Sequence, residues 1–367
     1  MKLIHIVGAR PNFMKAAPLL EALAAYPHIQ NLLVHTGQHY DANMSEVFFR
    51  DLNLPHPDIH LGVGSGTHAE QTANVLLRFE PVLLEHQPDW IVVYGDVNST
   101  LACALAAAKL EIPVAHVEAG VRSFDRSMPE EINRLVTDAL ASLHFTPCRE
   151  ANDNLRREGI PGEKIHFVGN IMADSLLKAV KLAAQRETWT RWGLSPQGYG
   201  LVTLHRAANV DDASLLSELI AALSSVATRI PLIFPVHPRT AKRLADFGLA
   251  TLSEAAAPSG PRAGLILCEP LGYLDFVCLL AQAKLALTDS GGLQAETSML
   301  GVPCLTLRKN TEWGVTLSEG TNTLVAEVQN IPAETEKILR GEGKHARIPE
   351  LWDGKTGQRI AAILATQ

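Results

Sequence analysis

The chain contains no run of about 18 apolar residues, which removes a membrane-spanning helix from consideration. Its five cysteines (Cys103, Cys148, Cys268, Cys278 and Cys304) are odd in number, scattered and never in C-x-x-C spacing. That excludes a zinc site of paired cysteines and a disulfide framework, and it fits reduced thiols buried in a cytoplasmic protein. There is no low-complexity tract and no charged tail. Positive charge is not in excess either. A net charge of −7 argues against general binding to nucleic acid or a membrane surface. Any anionic ligand must therefore be held by a local cluster of cations. Walker and H-E-x-x-H motifs are missing. Gly62-Val63-Gly64-Ser65-Gly66 lacks G-x-G-x-x-G spacing and follows no clear strand, so it reads as a flexible loop suited to moving on closure. No cofactor and no metal are expected: His116 and Glu118 alternate on one strand without a convincing third ligand. Asn98-Ser99-Thr100 matches a glycosylation acceptor, which means nothing without secretion. Met1-Lys2 leads straight into Leu3–Val7, a first strand rather than a signal peptide.

What the chain does have is alternation. At 367 residues with 47% hydrophobic content it exceeds what one core usually accommodates, so two domains are expected. Strand-like apolar runs fall at Leu3–Val7, Leu32–Thr36, Trp90–Tyr94, Val114–Val117, Leu143–Thr146 and Ile165–Val168. A second set falls at Leu201–Leu204, Leu232–Val236, Leu265–Cys268, Leu285–Thr288 and Cys304–Leu307. Between them lie helical stretches such as Ala16–Ala25, Ser99–Lys109, Glu130–Ser142 and Ser214–Thr228. Short continuous strands alternating with helices predict an α/β fold of two doubly wound parallel sheets. The boundary is expected at Gly169–Asn170, with residues 1–170 as the first domain. Met172–Trp192 is predicted to be a helix leading across. Ligands of such sheets bind at the carboxyl ends of the strands, and with two domains that predicts an interdomain cleft.

The most telling stretch is Asp289-Ser290-Gly291-Gly292, between the run Leu285–Thr288 and a helix-like segment beginning at Leu293-Gln294. A strand–turn–helix junction of this kind aims backbone N–H groups and the helix dipole at an anion, and glycines let a phosphate approach. Glu296, one turn into the helix, is placed to accept bonds from a ribose diol. A nucleotide or nucleotide-sugar cradle is one reading; a tight turn with a helix cap is the other.

Other polar residues sit at strand ends: Gly8-Ala9-Arg10-Pro11 with Lys15, Gly95-Asp96, Glu118-Ala119-Gly120, Pro129-Glu130-Glu131, His205-Arg206 and His237-Pro238-Arg239. Singly, each has a structural explanation, since a carboxylate there often caps a helix and His237 before proline suits local packing. Together they converge. Asp96, Glu118 and Glu130 would bring three carboxylates to one side of a cleft, where they cannot all ionise comfortably. Arg10, Lys15, His205, Arg206 and the turn Ser290–Gly292 would bring donors for phosphates. Several acid–base groups beside a diphosphate site suggest proton abstraction coupled to departure of a nucleotide.

At these residues the chain resembles the non-hydrolysing UDP-N-acetylglucosamine 2-epimerases, from Gly8-Ala9-Arg10-Pro11 to Leu351–Lys355. The anchors are Arg10-Pro11 with Lys15, Gln38-His39, Gly95-Asp96, His116–Gly120, Pro129–Arg134, His205-Arg206, Pro235–His237, and Thr288–Gly292 with Gln294 and Glu296. The resemblance implies two Rossmann-like domains in a GT-B arrangement. Residues 171–354 would bind UDP, and a C-terminal helix at about 355–367 would pack back on the first domain. It implies a homodimer without a redox cofactor, interconverting UDP-GlcNAc and UDP-ManNAc by elimination and re-addition of UDP, in polysaccharide biosynthesis. Asp96, Glu118 and Glu130 would be the acid–base set. His205, Arg10 and Lys15 would serve the departing diphosphate, with Arg206 and His237 beside them. Ser290, Gly291 and Gly292 would hold the phosphates, and Glu296 the ribose.

The chain departs from the family pattern in three places. Ala208 stands where many members have Glu, Ala295 within Gln294-Ala295-Glu296 where most have Gln-Glu-Glu, and Thr311-Glu312-Trp313-Gly314 where most have Thr-Glu-Arg-Pro. These bear on substrate scope more than on reaction type. Tyr40-Asp41 beside Gln38-His39 and the arginine-free loop Gly64–His68 leave an effector pocket unsupported. Four other readings stay open: a hydrolysing 2-epimerase releasing ManNAc, a 2-epimerase for a modified UDP-HexNAc, a GT-B glycosyltransferase, and a catalytically silent UDP-sugar binder.

Overall fold

The structure, a computed structural model, describes residues 1–37, 56–249, 263–344 and 346–367. Gln38-His39 and Tyr40-Asp41 lie outside the described residues, and so does the side chain of Arg10. The chain divides into two units, one of Met1–Leu177 with Glu350–Gln367 and the other of Lys178–Pro349.

The first unit is built on a seven-stranded sheet in the order β3-β2-β1-β4-β5-β6-β7. Its strands are β1 (Lys2–Val7), β2 (Gln30–His35), β3 (Ile59–His60), β4 (Trp90–Tyr94), β5 (Val114–Val117), β6 (Leu143–Thr146) and β7 (Ile165–Phe167). The second has six strands in the order β10-β9-β8-β11-β12-β13. They are β8 (Gly200–Thr203), β9 (Leu232–Pro235), β10 (Leu265–Cys268), β11 (Leu285–Thr288), β12 (Cys304–Thr306) and β13 (Asn322–Leu324). Every pairing is parallel.

The continuous apolar runs become strands because both faces of each sheet are covered. In the second sheet Leu232 and Phe234 enter one core cluster and Ile233 between them enters another. Leu285 and Leu287 divide from Ala286 in the same way. Helix starts follow local chemistry. Thr67 caps the helix His68–His86 by a capping box with Glu70, and Asp212 caps Ala213–Ala227 through Leu215 N–H at 2.8 Å.

The strands β3 and β13 were not legible as apolar runs, and both are short edge strands. The first helix begins at Arg10 rather than Ala16, with Pro11 in its first turn. The single helix expected over Met172–Trp192 is broken: a helix covers Ile171–Ala183, and a separate 3₁₀ turn covers Thr188–Trp192. Asp275 causes the break by gathering Arg186 at 3.1 Å, Thr188 at 3.1 Å and Arg191 at 3.0 Å, while Trp192 is buried in the second unit's core.

The C-terminal segment belongs to the first unit. Trp352 Nε1 donates to Pro147 O at 2.8 Å. The helix Thr356–Leu364 packs on Arg10–Leu23 so closely that a Cβ on Gly357 would lie 2.6 Å from Pro18 O.

Candidate active site

In each sheet the strand order reverses once, between β1 and β4 in the first and between β8 and β11 in the second. Helices leave opposite faces on either side of such a point, and the crevice beyond the strand ends is where ligands bind.

In the first unit β1 leads through Gly8 into the helix at Arg10. Asn12 Oδ1 accepts from Gly8 N–H (3.1 Å) and Ala9 N–H (3.0 Å), and its amide donates to Tyr94 O (2.8 Å), tying the ends of β1 and β4 together. One turn on, buried Lys15 reaches across to the end of β5 and donates to Glu118 Oε1 at 2.7 Å. Glu118 sits at φ +75°, a left-handed conformation costly for a residue with a Cβ, and Gly120 follows at φ +78°. The strained turn is held by Phe145 O, which accepts from Glu118 N–H (3.0 Å) and Ala119 N–H (3.1 Å). Glu118 Oε2 is buried and has no hydrogen-bond partner among the described residues. Burial pushes the Glu118 carboxyl above its ordinary range; Lys15 opposes that shift and Asp96 adds to it.

Asp96 follows Gly95 at the end of β4. Its carboxylate pairs with Arg134 Nη1, and its backbone carbonyl accepts from Asn133 Nδ2 at 2.8 Å. Both partners come from the helix Pro129–Leu140. Glu131 on that helix is a structural residue. It accepts from Ser123 N–H (3.0 Å), Phe124 N–H (2.9 Å) and Arg134 Nη2 (2.6 Å). Burial raises its carboxyl, but these bonds outweigh burial and hold it low. The side chain of Glu130 is half-buried and makes no hydrogen bond or ion pair among the described residues. It precedes Asn133 and Arg134 by three and four positions, so it shares the helical face that reaches Asp96.

In the second unit the organiser is Asp289, fully buried at the end of β11. It accepts from His205 N–H (3.0 Å), Arg206 N–H (2.9 Å) and Asn209 Nδ2 (3.2 Å), and pairs with His205 Nδ1 at 3.1 Å. Burial alone would raise its carboxyl; the bonds from His205 and Arg206 prevail and hold it below the ordinary range. His205 is thereby held by a carboxylate through Nδ1, with its side chain part-exposed. Arg206 Nε donates to Asp289 O at 2.9 Å, so this guanidinium is partly committed to the turn. His237 accepts from Arg239 N–H at 3.2 Å and caps the helix Pro238–Asp246, with its ring 5.7 Å from that of His205.

Ser290 is the N-cap of the helix Gly291–Leu300 and makes no side-chain cap bond, so the N–H groups at this end are left for another acceptor. A Cβ on Gly291 would lie 2.2 Å from Glu312 Oε1 and 3.5 Å from Trp313 Nε1, so Glu312 would have to shift to admit one. Glu312 is held by Arg308 at 2.8 Å and approached by Arg206 at 3.6 Å. Arg308, two residues beyond the end of β12, is a cation beside the cradle that sequence reasoning passed over; its signal was that place just past a strand end. Trp313, where most members have Arg, is buried beside the glycine turn. Glu296 is also buried, mid-helix, while Gln294 spans to Thr311 (2.6 Å) and Asn322 (2.8 Å). Ala295 is buried in the same helix, and Ala208 is exposed.

The structure thus brings Lys15, Asp96 and Glu118 together in one unit, and His205, Arg206, His237 and the Ser290–Gly292 turn in the other. Among the described residues no group of three or more His, Cys, Asp or Glu is arranged to hold a metal ion.

Two doubly wound parallel sheets, each with polar residues gathered at its switch point, define an α/β protein of the class whose ligands bind beyond the strand ends. Residues 21–365 match the profile of the UDP-N-acetylglucosamine 2-epimerase family, and the chain belongs to that family. It is 44% identical to the UDP-N-acetylglucosamine 2-epimerase of Methanocaldococcus jannaschii, over 99% of each chain. It is 41% identical to the UDP-2,3-diacetamido-2,3-dideoxy-D-glucuronate 2-epimerase of Pseudomonas aeruginosa, over 100% of this chain and 99% of the other. The crystal structure of the M. jannaschii UDP-GlcNAc 2-epimerase with UDP-GlcNAc and UDP superposes with a TM-score of 0.90, at 43% identity and full coverage of both chains. The Neisseria meningitidis UDP-GlcNAc 2-epimerase bound to UDP-GlcNAc gives 0.88 at 28% identity, again over both whole chains.

Proposed function

We propose that this protein interconverts UDP-GlcNAc and UDP-ManNAc by elimination and re-addition of UDP. The C2 proton of the sugar is not next to a carbonyl and is hardly acidic. As the bond from C1 to the UDP oxygen breaks, with its electron pair leaving on UDP, positive character at C1 acidifies that proton. A base removes it and a double bond forms between C1 and C2, giving a 2-acetamidoglucal. UDP then adds back at C1 while a proton is delivered to C2 from the opposite face. Both fragments must be kept from water in between.

The observation that carries this reading is Glu118: buried, strained, one oxygen without a partner, its carboxyl raised by burial next to Asp96 and Lys15. A carboxyl whose ionised form burial disfavours, with one oxygen open, is suited to taking up and releasing a proton. Asp96 and Glu130 complete the acid–base set. Ser290, Gly291 and Gly292 hold the diphosphate, His205 serves its departure with Arg10 and Arg206 assisting, and Glu296 holds the ribose. Lys15, bonded to Glu118, acts on the carboxylate before any phosphate. The setting this reading proposes is the cytoplasm, with the product feeding surface polysaccharide. The exposed apolar residues Leu77, Leu84, Ile132 and Val136 on the helices His68–His86 and Pro129–Leu140 support a homodimer.

The test is proton NMR of the enzyme with UDP-GlcNAc in D2O. Deuterium at C2 with UDP-ManNAc appearing is the expected result. Free ManNAc beside UDP would move the protein to the hydrolysing branch, and UDP binding without exchange would sink the reading. A second substrate, a diacetamido uronic acid carried on UDP, is favoured by the P. aeruginosa relative at 41% identity. The same NMR assay with that sugar decides between them.

A further inference from the structure

We propose that His116 is a positioning residue, carrying a proton on both ring nitrogens, that locks the Asp96 turn and the Glu118 turn together through Asp138. The proposal rests on the reading of Asp96 and Glu118 as proton-transfer groups.

The argument begins with hydrogen-bond supply. His116 lies on β5, fully buried, two residues before Glu118. Its Nδ1 is 2.6 Å from Asp138 Oδ1, and its Nε2 is 2.8 Å from the carbonyl oxygen of Gly95. A peptide carbonyl can only accept, so Nε2 must donate. Asp138 is ionised and accepts at both oxygens: against the burial that would raise its carboxyl, His116 and Arg122 hold it low, and its Oδ2 takes a bond from Gly120 N–H (3.0 Å) and an ion pair from Arg122 (2.7 Å). The ring therefore faces two acceptors, and only the imidazolium can satisfy both. A neutral tautomer would leave two lone pairs opposed in a site without solvent.

The charges balance in that state. Arg122 and His116 are the cations, and Asp138 and Glu158 the anions, with Arg122 Nη2 2.6 Å from Glu158 Oε2. His144 donates to the backbone oxygen of Asp138 at 2.8 Å and touches neither carboxylate oxygen.

The consequence is mechanical. Gly95 takes φ +64° immediately before Asp96, and a Cβ on it would lie 2.6 Å from Lys15 Nζ. One buried carboxylate thus holds the turn after Glu118 directly, through Gly120 N–H, and the turn before Asp96 through the imidazolium. The two carboxylates are registered against each other by a device that meets neither of them. Its charge also favours ionised Glu118, in concert with Lys15 and against Asp96.

The test has two arms. In the protein labelled with ¹⁵N-histidine, long-range ¹H–¹⁵N spectra at neutral pH should show protons on both nitrogens of one slowly exchanging ring. His116→Gln provides the assignment. A one-proton pattern for His116 overturns the proposal whatever the variants do. In the kinetic arm, His116→Gln keeps a donor toward Gly95 and His116→Asn keeps one toward Asp138. Each should lower kcat about 10- to 100-fold while UDP affinity stays within about threefold. The acid limb of kcat should move to higher pH. A folded variant of either kind with wild-type kcat and an unmoved limb overturns it. If the unmodified enzyme exchanges no C2 deuterium, the epimerase reading fails, and the NMR arm still decides the state of His116.

Discussion

Asp289 and His205, 84 residues apart in sequence, meet where β11 and β8 end side by side, with a carboxylate oxygen 3.1 Å from the imidazole Nδ1. The same carboxylate takes the backbone N–H groups of His205 and Arg206, so one buried side chain sets both the path of the turn and the direction of the ring. Asp289→Asn keeps the volume but offers an amide where a second acceptor is needed. Steady-state kinetics should show kcat reduced on the order of 100-fold with UDP affinity changed severalfold at most. An unchanged kcat would mean that His205 needs no orientation.

Removing the charge beside Glu118 should move a pH profile. Burial raises that carboxyl and Lys15 holds the rise in check, so Lys15→Met lets it climb further. If Glu118 works ionised, the acid limb of kcat moves to higher pH, and about tenfold or more of neutral-pH activity is lost. A profile that keeps its position while activity falls would assign Lys15 to the phosphates instead.

Asp96→Asn and Glu130→Gln should each abolish turnover while leaving UDP affinity within severalfold. Both changes are nearly isosteric, so calorimetric UDP binding and a thermal melt serve as controls. Loss of UDP binding or of the fold would make these residues structural.

Asp138 links folding to pH. Burial by itself would raise its carboxyl, but His116 and Arg122 prevail and bring it down to about 2. Because the folded value lies below the ordinary one, its stabilisation is present above roughly pH 4 and disappears as pH falls through the folded value. Its ordinary value is 3.8, so the shift corresponds to roughly 2–3 kcal/mol. Asp138→Asn should therefore lower Tm at pH 7, by breaking a buried pair worth about 3–5 kcal/mol on removal, and flatten the fall in Tm between pH 4 and 2. A variant with the wild-type acid slope would show that other carboxylates govern it.

Much of this was visible in the order of residues. Continuous apolar runs bounded by helical stretches fix a doubly wound α/β protein, because a strand covered on both faces has no polar side to show. Trp90–Tyr94, Val114–Val117, Leu143–Thr146, Leu265–Cys268 and Leu285–Thr288 are strands with the bounds expected. The short edge strands β3 and β13 left no run to read, and the break after Ala183 depended on Asp275, far along the chain.

The sequence by itself also determined which chemistry stands at the strand ends, since parallel strands deliver the residues that follow them to one edge. It could not say what each group is bonded to. Lys15 was expected at phosphates and is found on Glu118. The pairing of Arg308 with Glu312 beside the glycine turn became visible only when β12 was set beside β11. The joining of His116, Asp138 and the Gly95 carbonyl was likewise a decision of the tertiary structure. Protonation and orientation depend on partners within about 3 Å, and in this fold those partners come from distant parts of the chain.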